Sequence, residues 1–269
     1  MIRFSPKLSS QVRSPAVAGK FYPADAMELR CLIERFLREA TPGDAPAPKA
    51  VIAPHAGCVY SGPVAVSAYV RLSPARGIVQ RVVLLGPSHH AAFDGLATTG
   101  AERLATPLGD VPVDTRAVAF ICSLPQVRIL DAAHANEHSL EVHLPFLQVV
   151  LGTFRIVPLV VGTASDIEVA EVMEALWGGD ETRFIISSDL SHYLDYKHAR
   201  RVDAATARAI EELQPENISE KQACGRVAIC GLLRVAQHHG LRAHTVDLRN
   251  SGDTSGPRDR VVGYGAWVF

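Results

Sequence analysis

Apolar residues recur along the chain in two rhythms. Between positions 25 and 40, Leu29, Leu32, Ile33, Phe36 and Leu37 fall at the three- and four-residue spacing of one helical face. The proline-rich stretch 41–48 (TPGDAPAP) then stops the helix as a short, stiff linker. Elsewhere, short β-branched or Leu-rich runs predict strands at 50–53, 82–86, 156–161, 184–188, 244–248 and 261–269. Segments of helical pattern separate most of them. Several runs are apolar at successive positions instead of alternating, as in strands covered on both faces, so parallel pairing is expected for some. The alternation predicts an α/β fold: one domain over 1–269, with a central mainly parallel or mixed sheet flanked by helices.

Composition narrows the partners. With 48% hydrophobic and 20% charged residues in 269, the chain can bury a core, and intrinsic disorder is excluded. Twenty-seven Lys and Arg against 28 Asp and Glu give a net charge of −1, without the field that would attract nucleic acid or an anionic membrane. The expected partner is a small-molecule substrate or a peptide, and the oligomeric state is left open, a homo-oligomer included. Residues 1–19 lack the apolar core of a signal peptide, and no later run approaches the roughly 20 apolar residues of a membrane span. A cytoplasmic protein is expected. Cys31, Cys58, Cys122, Cys224 and Cys230 are odd in number and lack CxxC spacing, which disfavours a disulfide framework or a structural zinc knuckle.

Open α/β sheets place ligands at the carboxyl ends of their strands, and three predicted strands end in histidine. The first runs into Pro54-His55, the second into Ser88-His89-His90, and the fourth into Ser187-Ser188-Asp189-Leu190-Ser191-His192. One such histidine is ordinary loop polarity; three suit a metal or acid/base site. A helix over 220–239 would place Cys224 in its first turn, where the helix dipole favours a thiolate. Cys224 is therefore expected to titrate below a normal thiol and to be the most readily oxidised cysteine.

The stretch 136–145 carries Glu137, His138, Glu141 and His143. Residues His134 to His138 spell HxxEH, an inverted zinc-peptidase pattern. That motif needs a continuous helix, whereas Asn136 reads as the N-cap of a helix beginning just after it. The better reading is a helix start whose carboxylates and histidines orient metal ligands. No GxxxxGK[ST], GxGxxG or GxSxG is present, so neither a nucleotide loop nor a serine hydrolase is signalled.

Taken together, APHAG (53–57), LGPSHH (85–90), EHSLEVHLPFLQ (137–148), VPLVVG (157–162), SSDLSH (187–192) and CGR (224–226) resemble the Memo family. VRSPAVAGKFYPAD (12–25), NSGDTSG and the terminal VVGYGAWVF resemble its bacterial and archaeal branch, the AmmeMemoRadiSam system protein B type. The resemblance implies a fold similar to the class III extradiol ring-cleavage dioxygenases, which are non-haem iron enzymes. It implies that His55, His89 and Cys224 hold a metal ion, iron or copper with zinc as an alternative, and that His192 with Asp189 takes the acid/base position. Glu141, His138 and Arg226 are then expected around the cofactor, Glu141 as an orienting group. A cysteine where those dioxygenases carry a carboxylate is a softer, oxidisable ligand. The function implied is a metal-binding redox protein or oxidoreductase. The alternative is a non-catalytic module that captures a peptide or small molecule in the same cleft, as proposed for phosphotyrosine recognition by animal relatives, with Arg226 as anion contact. A metal-dependent hydrolase would rest on HxxEH alone.

Overall fold

Four parallel strands form the middle of a nine-stranded mixed sheet, in the order Ala50–Ala53, Thr182–Ser187, Arg81–Pro87 and Arg155–Val161. They belong to a computed structural model that describes residues 11–269. All four are buried along almost their whole length, which is why their sequences read as unbroken apolar runs. The antiparallel pair His244–Asn250 and Val261–Val268 extends one flank. Leu96–Thr98 and Val127–Ile129 extend the other. These last two strands, and His192–Leu194, are three residues each, too short to leave a periodic signal. A second, small sheet joins Val12–Arg13, Arg103–Leu104 and Val111–Pro112.

Helices cover the sheet. Cys58–Tyr69 connects Ala50–Ala53 to Arg81–Pro87, and Asp166–Ala175 connects Arg155–Val161 to Thr182–Ser187. Helix Ala26–Glu39 begins where Asp25 accepts from the N–H groups of Met27 and Glu28, and it buries Leu29, Ile33 and Phe36 as its spacing predicts. Among the described residues, no helix is long and apolar enough to cross a membrane.

Two predicted helices differ from what forms. The helix expected over 220–239 spans Arg226–His238, because tertiary bonds claim the residues before it. Cys224 N–H donates to the Asp189 carbonyl at 3.2 Å, and Gly225 N–H donates to Ser188 Oγ at 2.9 Å. Asn136 is the C-cap of a short helix, Asp131–Ala135, and no helix begins just after it; the next is His143–Leu151. Between them the Glu137 carboxylate accepts from the N–H groups of His138 and Ser139, each at 2.9 Å, folding the segment into a turn.

Register then sets the level of the strand ends: Ala53 pairs with Ser187, Leu85 with Ile186, and Pro87 with Val161. The loops carrying His55, Asp189 and His89 therefore leave neighbouring strands at one edge. Gly225 closes that edge, for a Cβ there would lie 2.4 Å from the Ser187 carbonyl oxygen and 2.7 Å from Ser188 Cβ. Backbone cannot move aside as a side-chain tip can, so Gly225→Ala should cost about 1–3 kcal/mol. The measurement is a melting temperature lowered by about 2–4 °C per kcal/mol; an unchanged value would show that the loop shifts freely.

Candidate metal centre

Three imidazoles meet at this edge. His55, His89 and His138 each offer a ligand atom within 4.8 Å of the other two. The His55 and His89 ring centres are 5.2 Å apart, and His89 stacks on His138 at 4.7 Å. Cys224 Sγ lies 3.5 Å from His55 Nε2. The compact group thus brings His138 in beside His55 and His89, and the Cys224 thiol flanks it next to His55.

Proton positions follow from what each partner can accept. Ser187 Oγ lies 2.6 Å from the Ser139 carbonyl, 2.6 Å from His55 Nδ1 and 2.7 Å from His143 Nε2. A carbonyl only accepts, so the serine hydroxyl donates to it and both imidazoles donate N–H to Ser187. His143 Nδ1 is left as an acceptor, and the Tyr69 hydroxyl donates to it. The chain of donors is complete. Its consequence is that His55 carries its proton on Nδ1, leaving the Nε2 lone pair directed toward the thiol side.

Glu137 does the same for His89. Its Oε1 lies 2.9 Å from His89 Nδ1 and 3.3 Å from His138 Nδ1, and its Oε2 accepts the His89 backbone N–H at 2.6 Å. A carboxylate can only accept, so His89 donates from Nδ1 and keeps Nε2 free. Burial would raise the Glu137 carboxyl, but the His89 ring and the backbone N–H groups of His89 and Ser139 outweigh it and hold it well below the usual range. Burial holds His55 and His143 well below the ordinary histidine range, with neighbouring imidazoles adding to the shift. His138 is also lowered, by burial and then by His89. Neutral rings with free lone pairs are what a metal requires of histidine.

Cys224 departs from expectation. Burial, followed by the Asp189 charge, pushes its thiol up to about 12, although the N–H of Asp189 donates to Sγ at 3.2 Å. Desolvation opposes the charged form more strongly than the nearby helix start favours it. Asp189 is itself buried, its carboxyl raised by that burial, and its Oδ1 accepts the His55 backbone N–H at 2.9 Å. It fixes the His55 loop and makes no bond to the His192 ring. His192 is exposed and begins the strand His192–Leu194; its Nδ1 donates to the Leu190 carbonyl at 2.7 Å. It lines a cavity of about 1060 Å³ with His89, Cys224, Leu190, Leu194 and Val202.

The comparisons place these residues in a family. A model of Memo-like proteins matches residues 13–268. A MEMO1 family protein of Aquifex aeolicus is 36% identical over 271 residues, covering 96% of this chain and 99% of the relative. A MEMO1 family protein of Methanopyrus kandleri is 38% identical, covering 96% and 98%. The chain belongs to the Memo-like family.

Two of the expected surroundings lie elsewhere. Glu141 takes Arg13 in a buried ion pair and accepts from Ala16 N–H at 2.7 Å, Val17 N–H at 3.0 Å and the Tyr22 hydroxyl at 2.5 Å. Its oxygens are committed to the amino-terminal segment, and Glu137 is the carboxylate that orients the imidazoles. Arg226 donates from Nε to the Ile218 carbonyl at 2.6 Å and lines neither of the two cavities that reach Cys224. His134 of the HxxEH pattern pairs with the Ala97 carbonyl at 3.0 Å, away from the triad. Sequence reading missed Ser187, His143 and Tyr69 as a unit; two histidines at a strand end and in EHSLEVH were its visible trace.

Ser187→Ala would leave two buried imidazole N–H groups without an acceptor, a loss of about 1–3 kcal/mol. Metal affinity should fall about 10–100-fold, as for loss of a group that orients a ligand. Metal titration and the ¹⁵N shifts of His55 check this; a single unchanged Nδ1–H tautomer would remove Ser187 from that role. Alkylation gives a second check: exposed Cys31 should label well before Cys224 in metal-free protein at pH 8. Faster labelling at Cys224 would show a thiolate that burial ought to forbid.

Proposed function

We propose that the protein is a metal-dependent redox protein or oxidoreductase acting on a small molecule in the cytoplasm. The observation that carries this reading is the convergence of His55, His89 and His138, whose ligand atoms lie within 4.8 Å of one another, with a thiol 3.5 Å from His55 Nε2. His55, His89 and Cys224 would hold the ion, with His138 as the adjoining donor. Imidazole and thiolate together suit iron or copper, with zinc also compatible. A bound iron or copper would supply electron transfer and dioxygen chemistry to the site.

The chain's own residues supply the rest. Ser187 and Glu137 hold His55 and His89 in their ligating tautomers. Leu190, Leu194 and Val202 give the approach to the cluster an apolar lining, and His192 would hold or take a proton at Nε2. Five unpaired cysteines suit a reducing compartment. A second reading, a module that binds a peptide without chemistry, is favoured by the cavity of about 1060 Å³, roomy for a small substrate.

Metal analysis of protein purified without added metal separates the readings. Near-stoichiometric iron or copper supports the redox reading, whereas metal-free protein that binds peptide supports the module. His55→Ala should lose metal by orders of magnitude in affinity, while His192→Ala keeps it and loses activity. Metal loss in His192→Ala as complete as in His55→Ala would make His192 a ligand and overturn the assignment.

A further inference from the structure

A second set of donors, apart from the buried cluster, lies at the surface. Helices Asp166–Ala175 and Arg226–His238 pack tightly side by side. A Cβ on Gly231 would lie 2.4 Å from Val169 Cγ1 and 3.3 Å from the Asp166 carbonyl, so the glycine permits the approach. Arg234 Nε pairs with Asp166 Oδ2 at 2.7 Å, and Glu174 meets the end of the second helix. These contacts run in the same direction along both helices, so both carboxyl ends lie together. Each end carries about half a negative charge on its unsatisfied carbonyls, which favours a cation.

Three side chains converge there. His238 Nδ1 lies 2.7 Å from Glu174 Oε1, and His239 Nε2 lies 2.9 Å from Glu174 Oε2. One ligand atom from each residue lies within 4.8 Å of the other two. The group is held in place from outside as well: the His239 ring stacks on Trp177 with centres 4.1 Å apart and planes at 15°. Trp177 in turn takes the Lys49 ammonium over its ring at 4.9 Å.

We propose that Glu174, His238 and His239 form a second metal site, for a divalent transition ion of the zinc and copper class. Two imidazoles and one carboxylate match the donor preference of such ions and leave further positions open to water. Metal–ligand bonds of about 2.0–2.1 Å need donors roughly 3–4 Å apart, so side-chain adjustments of less than an ångström accommodate the ion. Without metal, the two rings donate N–H to Glu174. Binding requires each ring to present a lone pair from that same nitrogen and to carry its proton, if neutral, on the other one. Calcium or magnesium, which take oxygen ligands, should be ignored. The site shares no residue with the buried cluster, so its fate is independent of the function proposed above.

Trp177 makes the test direct, because copper(II) quenches indole fluorescence at short range. Copper(II) is titrated into the full-length protein and into Trp177→Phe, and the difference between the curves isolates Trp177 from Trp267. Saturable quenching of Trp177 is expected, reversed by a chelator such as EDTA, shifted to higher copper by a large excess of zinc and untouched by magnesium. Glu174→Gln should weaken half-saturation at least about tenfold. His239→Phe, which preserves a ring against Trp177 while removing the nitrogen, should do the same. His55→Ala, which empties the buried cluster, should leave the Trp177 curve unchanged. Quenching that never saturates, or that survives in both Glu174→Gln and His239→Phe, would overturn the site and leave the three residues as a helix-end hydrogen-bond cluster.

Discussion

A serine hydroxyl has one proton and two lone pairs, and at Ser187 all three are spent. The proton goes to the Ser139 carbonyl; the lone pairs accept His55 and His143. This arrangement exists only because parallel register brings Ser187 level with Ala53, two residues before His55, and beside Gly86, where a Cβ would lie 3.1 Å from Ser187 Cβ and 2.9 Å from Ser139 Oγ. The sheet thus determines the proton position on His55 through one hydroxyl. A strand shifted by one residue would send that side chain to the other face and remove the acceptor.

Electrostatics at the site follow from burial more than from charge pairing. His55 and His143 are forced neutral, and Tyr69 is held protonated, its hydroxyl raised well above the ordinary range by desolvation. The exception is Glu137, which stays ionised because four N–H groups surround it. Its position depends in turn on Arg13, whose guanidinium donates to the His134 carbonyl at 3.0 Å through Nε and to the Glu137 carbonyl at 2.6 Å through Nη2 while paired with Glu141. Glu141 therefore affects the cluster at one remove, by anchoring the arginine that holds the Glu137 turn.

What the sequence made legible was whatever local pattern encodes. Unbroken apolar runs marked the buried parallel strands, and the residues after them marked His55, His89, His90 and His192 as a group; singling out His55 and His89 as ligands rested on the family resemblance. The length of the helix containing Cys224 could not be read this way, since bonds from Ser188 and Asp189 override its amino-terminal turn. Nor could the choice between Glu137 and Glu141. Both carboxylates sit in one short segment, and only tertiary contact shows that one faces imidazoles while the other faces Arg13. The thiol expectation failed for a related reason: a helix start is visible in sequence, but the desolvation that outweighs it depends on what packs above.

The protonated thiol has a consequence for charge balance. A divalent ion held by imidazole nitrogens would place two positive charges in a buried site, which is costly unless anions compensate. Glu137 supplies one anion through its contact with the His89 and His138 rings. Asp189 supplies a second, weakened by its own raised carboxyl and by its bond to the His55 N–H. Cys224 is the remaining source, since a cation beside His55 Nε2 would stabilise thiolate against the desolvation that now opposes it. The donor that is least charged in isolation is therefore the one whose charge would change most on binding. Such a donor set would favour an ion with affinity for sulfur as well as nitrogen over magnesium or calcium, which take oxygen ligands.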